Sequence, residues 1–160
     1  MKTTIKYMVL SILALVFTNC RGIYEDSSEA AADLKKEVKT ITVEELNALT
    51  DSGETYTLLD IRQANDYLTG NIPGAVSLPR GDLEFKIGDT DFWASQYMYP
   101  PEKTDKIIVY CNDGNLGTMS AATLKQLGYK NVYNLKGGFK AFNPNQDPNA
   151  ATKASGGCGG

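Results

Sequence analysis

Lys106-Ile107-Ile108-Val109-Tyr110-Cys111-Asn112-Asp113-Gly114-Asn115-Leu116 decides how the rest of the chain is read. Its first half is a continuous apolar run of strand length, the pattern of a strand covered on both faces of a sheet. It enters a short polar loop holding Gly114, and a helix is expected from Gly117 to Leu127, stopped by Gly128. Outward from this unit, Thr57 to Ile61 reads as a second buried strand, and Ala75 to Leu78 and Val132 to Leu135 as further short ones. Ala64 to Leu68 reads as a helix broken by Gly70-Asn71-Ile72-Pro73-Gly74. Gly81 to Phe85 and Phe92 to Tyr97 read as helical pieces on a connection closed by Pro100-Pro101. Thr42 and Glu45 form a capping box that opens a helix to about Leu49. Strands alternating with helices through short loops predict an α/β fold: a parallel sheet of about five strands with helices on both faces.

Composition narrows the chemistry. The 160 residues carry 16 basic and 19 acidic side chains, a formal charge of −3, so no strong field for nucleic acid is implied. There is no histidine. That removes Ser-His-Asp and Cys-His nucleophile systems, His-ligated zinc and imidazole base catalysis. Catalysis here must rest on a thiolate, carboxylates or backbone dipoles. The three cysteines, Cys20, Cys111 and Cys158, are too scattered for a disulfide framework and form no CxxC pair of a zinc site or thioredoxin motif.

Lys2 and Lys6 precede an apolar run from Met8 to Phe17, the n-region and h-region of a secretory signal and too short to span a bilayer comfortably. With Phe17-Thr18-Asn19-Cys20 at its end, the segment resembles a bacterial lipoprotein signal, although Phe17 and Asn19 depart from the usual leucine and small residue. The resemblance implies lipid attachment at Cys20, an exported chain that meets the membrane through that anchor alone, and a location facing the periplasm. Residues 1–19 are then the signal peptide, and 20–39 the anchor cysteine with a polar, alanine-bearing stretch that reads mainly as a spacer, with a frayed helix left open. After Asn143 all apolar periodicity is lost, so 143–160 is expected to be a disordered tail.

Cys111 sits at the carboxyl end of the expected central strand, where ligands bind in open α/β sheets. The following loop can aim successive backbone N–H groups inward, and the helix N-terminus behind it favours negative charge. Position alone leaves open whether Cys111 is a reactive thiol or a buried structural one.

From Thr40 to Phe142 the chain resembles a rhodanese domain. Leu58-Leu59-Asp60-Ile61-Arg62 matches the early-strand signature of that family. Tyr67 with Gly70-Asn71-Ile72-Pro73-Gly74-Ala75 matches its Gly-His-Ile-Pro-Gly-Ala segment, with asparagine in place of histidine. Ile108-Val109-Tyr110-Cys111 matches the strand into the active loop, and Leu124 to Tyr129 with Val132 to Phe139 the closing helix, strand and glycine turn. The resemblance implies a sulfurtransferase or persulfide carrier, with no metal and no organic cofactor expected. Cys111 takes sulfane sulfur from a small donor or a sulfur-carrying protein and passes it to a thiol. The backbone of Asn112, Asp113, Gly114, Asn115 and Leu116 cradles the persulfide. Asp60 and Arg62 are read as a pair bracing the sheet.

One departure bears on the donor. The family loop reads C-x4-R, and Leu116 occupies the arginine position, with Gly117 where serine often follows. The related phosphatases need arginine one place later, again Gly117, which argues against phosphatase activity. An arginine about 4 Å from an anion is worth up to about 4 kcal/mol at an effective dielectric near 20, so its loss weakens thiosulfate chemistry, and Asp113 adds negative charge to the same loop. Two alternatives follow: a catalytically weak module that presents this loop to a protein partner, and a thiol–disulfide protein pairing Cys111 with Cys158. Cys158 lies sixteen positions beyond Phe142, a flexible reach of roughly 20–25 Å.

Overall fold

The computed structural model describes residues 24–145. Strands β1 (Lys39–Ile41), β2 (Thr57–Asp60), β3 (Ala75–Ser77), β4 (Lys106–Tyr110) and β5 (Asn131–Leu135) form one sheet. Their order is β1-β5-β4-β2-β3 and every pairing is parallel. The expected α/β class, with a five-stranded parallel sheet, is what the chain adopts. β4 lies at the centre, and Ile107 to Tyr110 are entirely buried because both faces are covered.

Helices α1 (Ser27–Leu34), α4 (Leu83–Lys86), α5 (Thr90–Ser95) and α6 (Asn115–Gln126) accompany one apolar core, and α2 (Val43–Ser52), α3 (Ala64–Thr69) and α7 (Gly138–Phe142) the other. The first core gathers Leu59, Ile61, Leu78, Leu83, Trp93, Ile107, Val109 and Leu124, and the second Ile41, Leu46, Leu58, Ile108, Tyr110, Leu135 and Phe139. Alternation along β4 sends Ile107 and Val109 to one face and Ile108 and Tyr110 to the other. Each fully buried aliphatic side chain contributes about 1.5–3 kcal/mol. Trp93 is wholly buried and donates its Nε1–H to the Ile87 carbonyl at 2.9 Å, whereas Tyr97 and Tyr99 are almost fully exposed.

The capping box opens α2 in both directions: Thr42 Oγ1 accepts from Glu45 N and Glu45 Oε2 accepts from Thr42 N. The clearest difference from expectation precedes it. The stretch read mainly as a polar spacer, with a frayed helix left open, forms the packed helix α1, capped by Asp26, whose Oδ1 accepts from Ser28 N and Glu29 N. Its Ala31 is 1% exposed, Val38 joins the first core, and Lys125 Nζ donates to the Glu37 carbonyl. Two small apolar contacts among many charges were too sparse to register as helical periodicity. The segments expected as signal and anchor, with Cys20, and the tail beyond Asn145, with Cys158, lie outside the described residues.

Candidate active site

The parallel ladder carries β4 between β2 and β5 and ends it at Tyr110, so Cys111 emerges at the carboxyl edge of the sheet with 3% exposure. α7 braces the start of the loop: Phe139 N donates to the Cys111 carbonyl at 2.8 Å and Lys140 N to the Asn112 carbonyl at 3.0 Å. Gly114 turns the chain with φ +92°, where an L side chain would be strained. α6 therefore begins at Asn115, two residues before the expected start.

That turn aims backbone donors at the sulfur. Cys111 Sγ accepts from Gly114 N at 3.1 Å and from Gly117 N at 3.3 Å, at the N-terminus of a twelve-residue helix. Both the donors and the helix dipole favour negative charge there. Of the five residues expected to cradle the sulfur, Gly114 donates to it. Gly117, outside that set, is the second donor. The sequence marked Gly117 only as standing where serine often follows, and since every residue there carries a backbone N–H, nothing singled it out as a donor. Asn115 N turns instead to Asp113 Oδ1 at 3.0 Å, and Leu116 stands 40% exposed at the rim.

Asp113 points inward. Its Oδ1 accepts from Cys111 Sγ at 3.6 Å and its Oδ2 from Asn115 Nδ2 at 3.3 Å. The Asn115 backbone N–H, opposed by burial and helped by the Cys111 thiol and the Lys140 charge, holds the Asp113 carboxyl below the usual carboxylate range. α1 reaches this network: Lys35 Nζ donates to Asn115 Oδ1 at 3.0 Å. Lys35 and Lys136 also line a cavity of about 300 Å³ shared with Asp113 and Gly114. The loop lacks its arginine, but lysines from other elements stand beside it.

Asp60 and Arg62, on the adjacent strand end, form a buried ion pair of 2.6 Å, with further bonds from Arg62 N and Nε to the same carboxylate. Arg62 also donates to the Gly70 carbonyl and lies 4.0 Å over the Phe139 ring. Burial opposes the guanidinium charge, but the Asp60 hydrogen bonds and charge outweigh it and raise the Arg62 pKa. Asn71, at the histidine position of the family segment, is exposed and donates to the Tyr67 carbonyl at 3.3 Å. Among the described residues no group of three acidic, cysteine or histidine side chains is placed to hold a metal ion.

The family model for the rhodanese-like domain matches residues 42–145. The chain belongs to the rhodanese-like family. Human thiosulfate:glutathione sulfurtransferase is 29% identical over 107 residues, covering 64% of this chain and 91% of that protein. YrkF of Bacillus subtilis, which bears the name of a sulfur carrier protein, is 29% identical over 116 residues, covering 72% of this chain and 55% of its own length. The chain thus spans little more than half of some curated relatives it matches. Among solved structures, the human single domain sulfurtransferase TSTD1 superposes with a TM-score of 0.61 at 25% identity, covering 69% of this chain and 99% of that one. RPA3614 of Rhodopseudomonas palustris superposes with a TM-score of 0.64 at 30% identity, covering 78% and 94%. α1 precedes the matched segment, so Lys35 enters the loop network from outside the rhodanese-like domain as the family defines it.

Proposed function

We propose that this chain is an exported, lipid-anchored sulfurtransferase or persulfide carrier that moves sulfane sulfur through a persulfide on Cys111. The carrying observation is the buried Sγ at the end of β4, with the Gly114 and Gly117 N–H groups on it, in a rhodanese-like domain. Membership of a family whose matched relatives include sulfurtransferases supports the reaction class. In the thiosulfate case the Cys111 thiolate attacks the outer sulfur. A Cys111 S–S bond forms as the donor S–S bond breaks, and sulfite leaves with the electron pair. An acceptor thiolate then attacks the outer sulfur of the persulfide and returns Cys111 to thiolate. The two N–H groups and the α6 terminus stabilise the anionic sulfur in both steps.

The surroundings point to a preferred donor class. Asp113 Oδ1, close to Sγ, sets a negative charge against a small dianion at the sulfur itself, whereas Lys35 and Lys136 stand further out on the cavity wall and Lys140 acts on the Asp113 carboxylate. Leu116 stands at the rim of a groove of about 310 Å³ with Ser27, Asn115 and Met119. A sulfur atom borne on a protein, whose surface covers this rim, suits the site better than free thiosulfate. The same rim favours the second reading, a weakly catalytic module that binds a protein through this loop. Export and anchoring rest on Lys2, Lys6, the apolar run to Phe17 and Cys20. Cys20→Ala is expected to release the exported chain from the membrane fraction.

The deciding experiment treats the reduced full chain with thiosulfate and then with polysulfide, and follows intact mass. Addition of one sulfur that maps to Cys111 and is removed by cyanide is the expected result. Gain from polysulfide alone shows that thiosulfate is disfavoured as donor. No gain from either overturns sulfur transfer and leaves the binding module.

A further inference from the structure

Among the described residues, one buried side-chain oxygen has no hydrogen-bond partner: Asn134 Oδ1. Asn134 lies on β5 with 3% exposure, twenty residues from the loop it touches. Its Nδ2 donates to the Gly114 carbonyl at 2.8 Å and to Thr118 Oγ1 at 2.9 Å. The same carbonyl accepts from Thr118 N at 3.1 Å and Thr118 Oγ1 at 3.0 Å. Three donors therefore hold the peptide joining Gly114 to Asn115, one Cα away from the Gly114 N–H that points at the sulfur.

The other end of the amide meets the second donor. A Cβ built on Gly117 would stand 2.1 Å from Asn134 Oδ1, well inside contact distance. One side chain thus touches both residues whose N–H groups hold Cys111 Sγ: Gly114 through its carbonyl, Gly117 by direct packing. An apolar side chain could fill this space without an unpaired buried oxygen, which is destabilising. An unsatisfied polar group retained beside a nucleophile suggests a task other than stability.

We infer that Asn134 is a positioning residue for sulfur transfer, setting the spacing and aim of the Gly114 and Gly117 N–H groups, and that Gly117 carries no side chain because Asn134 fills its place. The inference rests on the reading of Cys111 as the sulfur carrier. It makes Asn134 and Gly117 a size-coupled pair: a side chain at 117 is tolerated only when the one at 134 shrinks.

The test compares Asn134→Ala, Gly117→Ser and the double variant with the wild-type full chain. Three quantities are read: the rate of iodoacetamide alkylation mapped to the Cys111 peptide, the lifetime of the polysulfide-generated persulfide, and Tm. Asn134→Ala is expected to slow alkylation and shorten the lifetime by on the order of tenfold, because misplacing catalytic donors by less than 1 Å is costly. Gly117→Ser alone is expected to do the same through its clash, and the double variant to recover most of both quantities. A purely structural asparagine would move Tm and leave the alkylation rate of the folded protein unchanged. Wild-type alkylation in Asn134→Ala, or a double variant that simply combines the two losses, overturns the inference. Should Gly117→Ser fail to fold, Asn134→Ala decides alone. Should no donor load the wild type, sulfur transfer fails, while alkylation, which needs no donor, still judges the pair.

Discussion

The carboxyl ends of β2 and β4 lie side by side, with Asp60 paired in register to Tyr110, yet they treat buried polar groups in opposite ways. At the end of β2, the Asp60 carboxylate takes up the Arg62 guanidinium, whose remaining reach goes to the Gly70 carbonyl and the Phe139 ring. Donors there are matched to acceptors, and little chemistry is left over. At the end of β4, two backbone donors converge on one sulfur, a carboxylate stands against it, and an amide oxygen behind the loop goes unpaired. A saturated site holds the sheet edge still, so that its neighbour can remain unsaturated and reactive. The Arg62–Phe139 contact joins them physically, since Phe139 N also holds the Cys111 carbonyl.

This contrast can be broken at either end. The largest effect on function is expected from Cys111→Ser, which abolishes persulfide formation by mass while shifting stability by about 1 kcal/mol or less, because serine can accept the same N–H bonds. Arg62→Met should do the reverse. It strands a buried carboxylate and costs about 3–5 kcal/mol in urea unfolding. If instead its cost falls under 1 kcal/mol, the β2 end is not the brace described.

Smaller changes sharpen the comparison. Leu116→Arg restores a cation at the loop and is expected to raise thiosulfate loading by about tenfold, with a lesser effect on polysulfide. Asp113→Asn should raise thiosulfate loading by a few-fold. The wild-type reaction should also quicken with added salt, which screens the repulsion, and the variant should respond less. The smallest effect is on acid stability. The folded Asp113 carboxyl lies below its unfolded value, so its contribution is present above about pH 4 and is lost as pH falls through the folded value. Asp113→Asn should therefore flatten that part of a pH-dependent melting curve.

Much of this was legible from local pattern. The apolar run of β4 ends at Tyr110 as read, and the Thr42–Glu45 box closes in both directions, because both depend on neighbours a few residues apart. α1 was open in the sequence only as a frayed helix although a local signal was present: Asp26 stands three residues before Glu29, and Glu29 Oε2 accepts from Glu25 N. With little to bury beyond Ala31, nothing apolar confirmed it. The start of α6 was displaced because Gly114 serves as the helix N-cap through a positive φ, where the sequence showed only a glycine in a loop and no side-chain cap.

The sequence by itself therefore settled the frame. Buried parallel strands demand apolar runs, turns demand glycine, and a thiol placed after the central run must emerge at the carboxyl edge of the sheet. The thiol's own partners lie within six residues of it, and tertiary structure alone decided which distant groups brace the loop that carries them. Lys35 reaches the loop from eighty residues away and Asn134 from twenty. Periodicity encodes which face a residue takes, since burial acts on every residue of an element. Hydrogen bonds between distant side chains depend on how elements pack, and that information exists only once the chain has closed on itself.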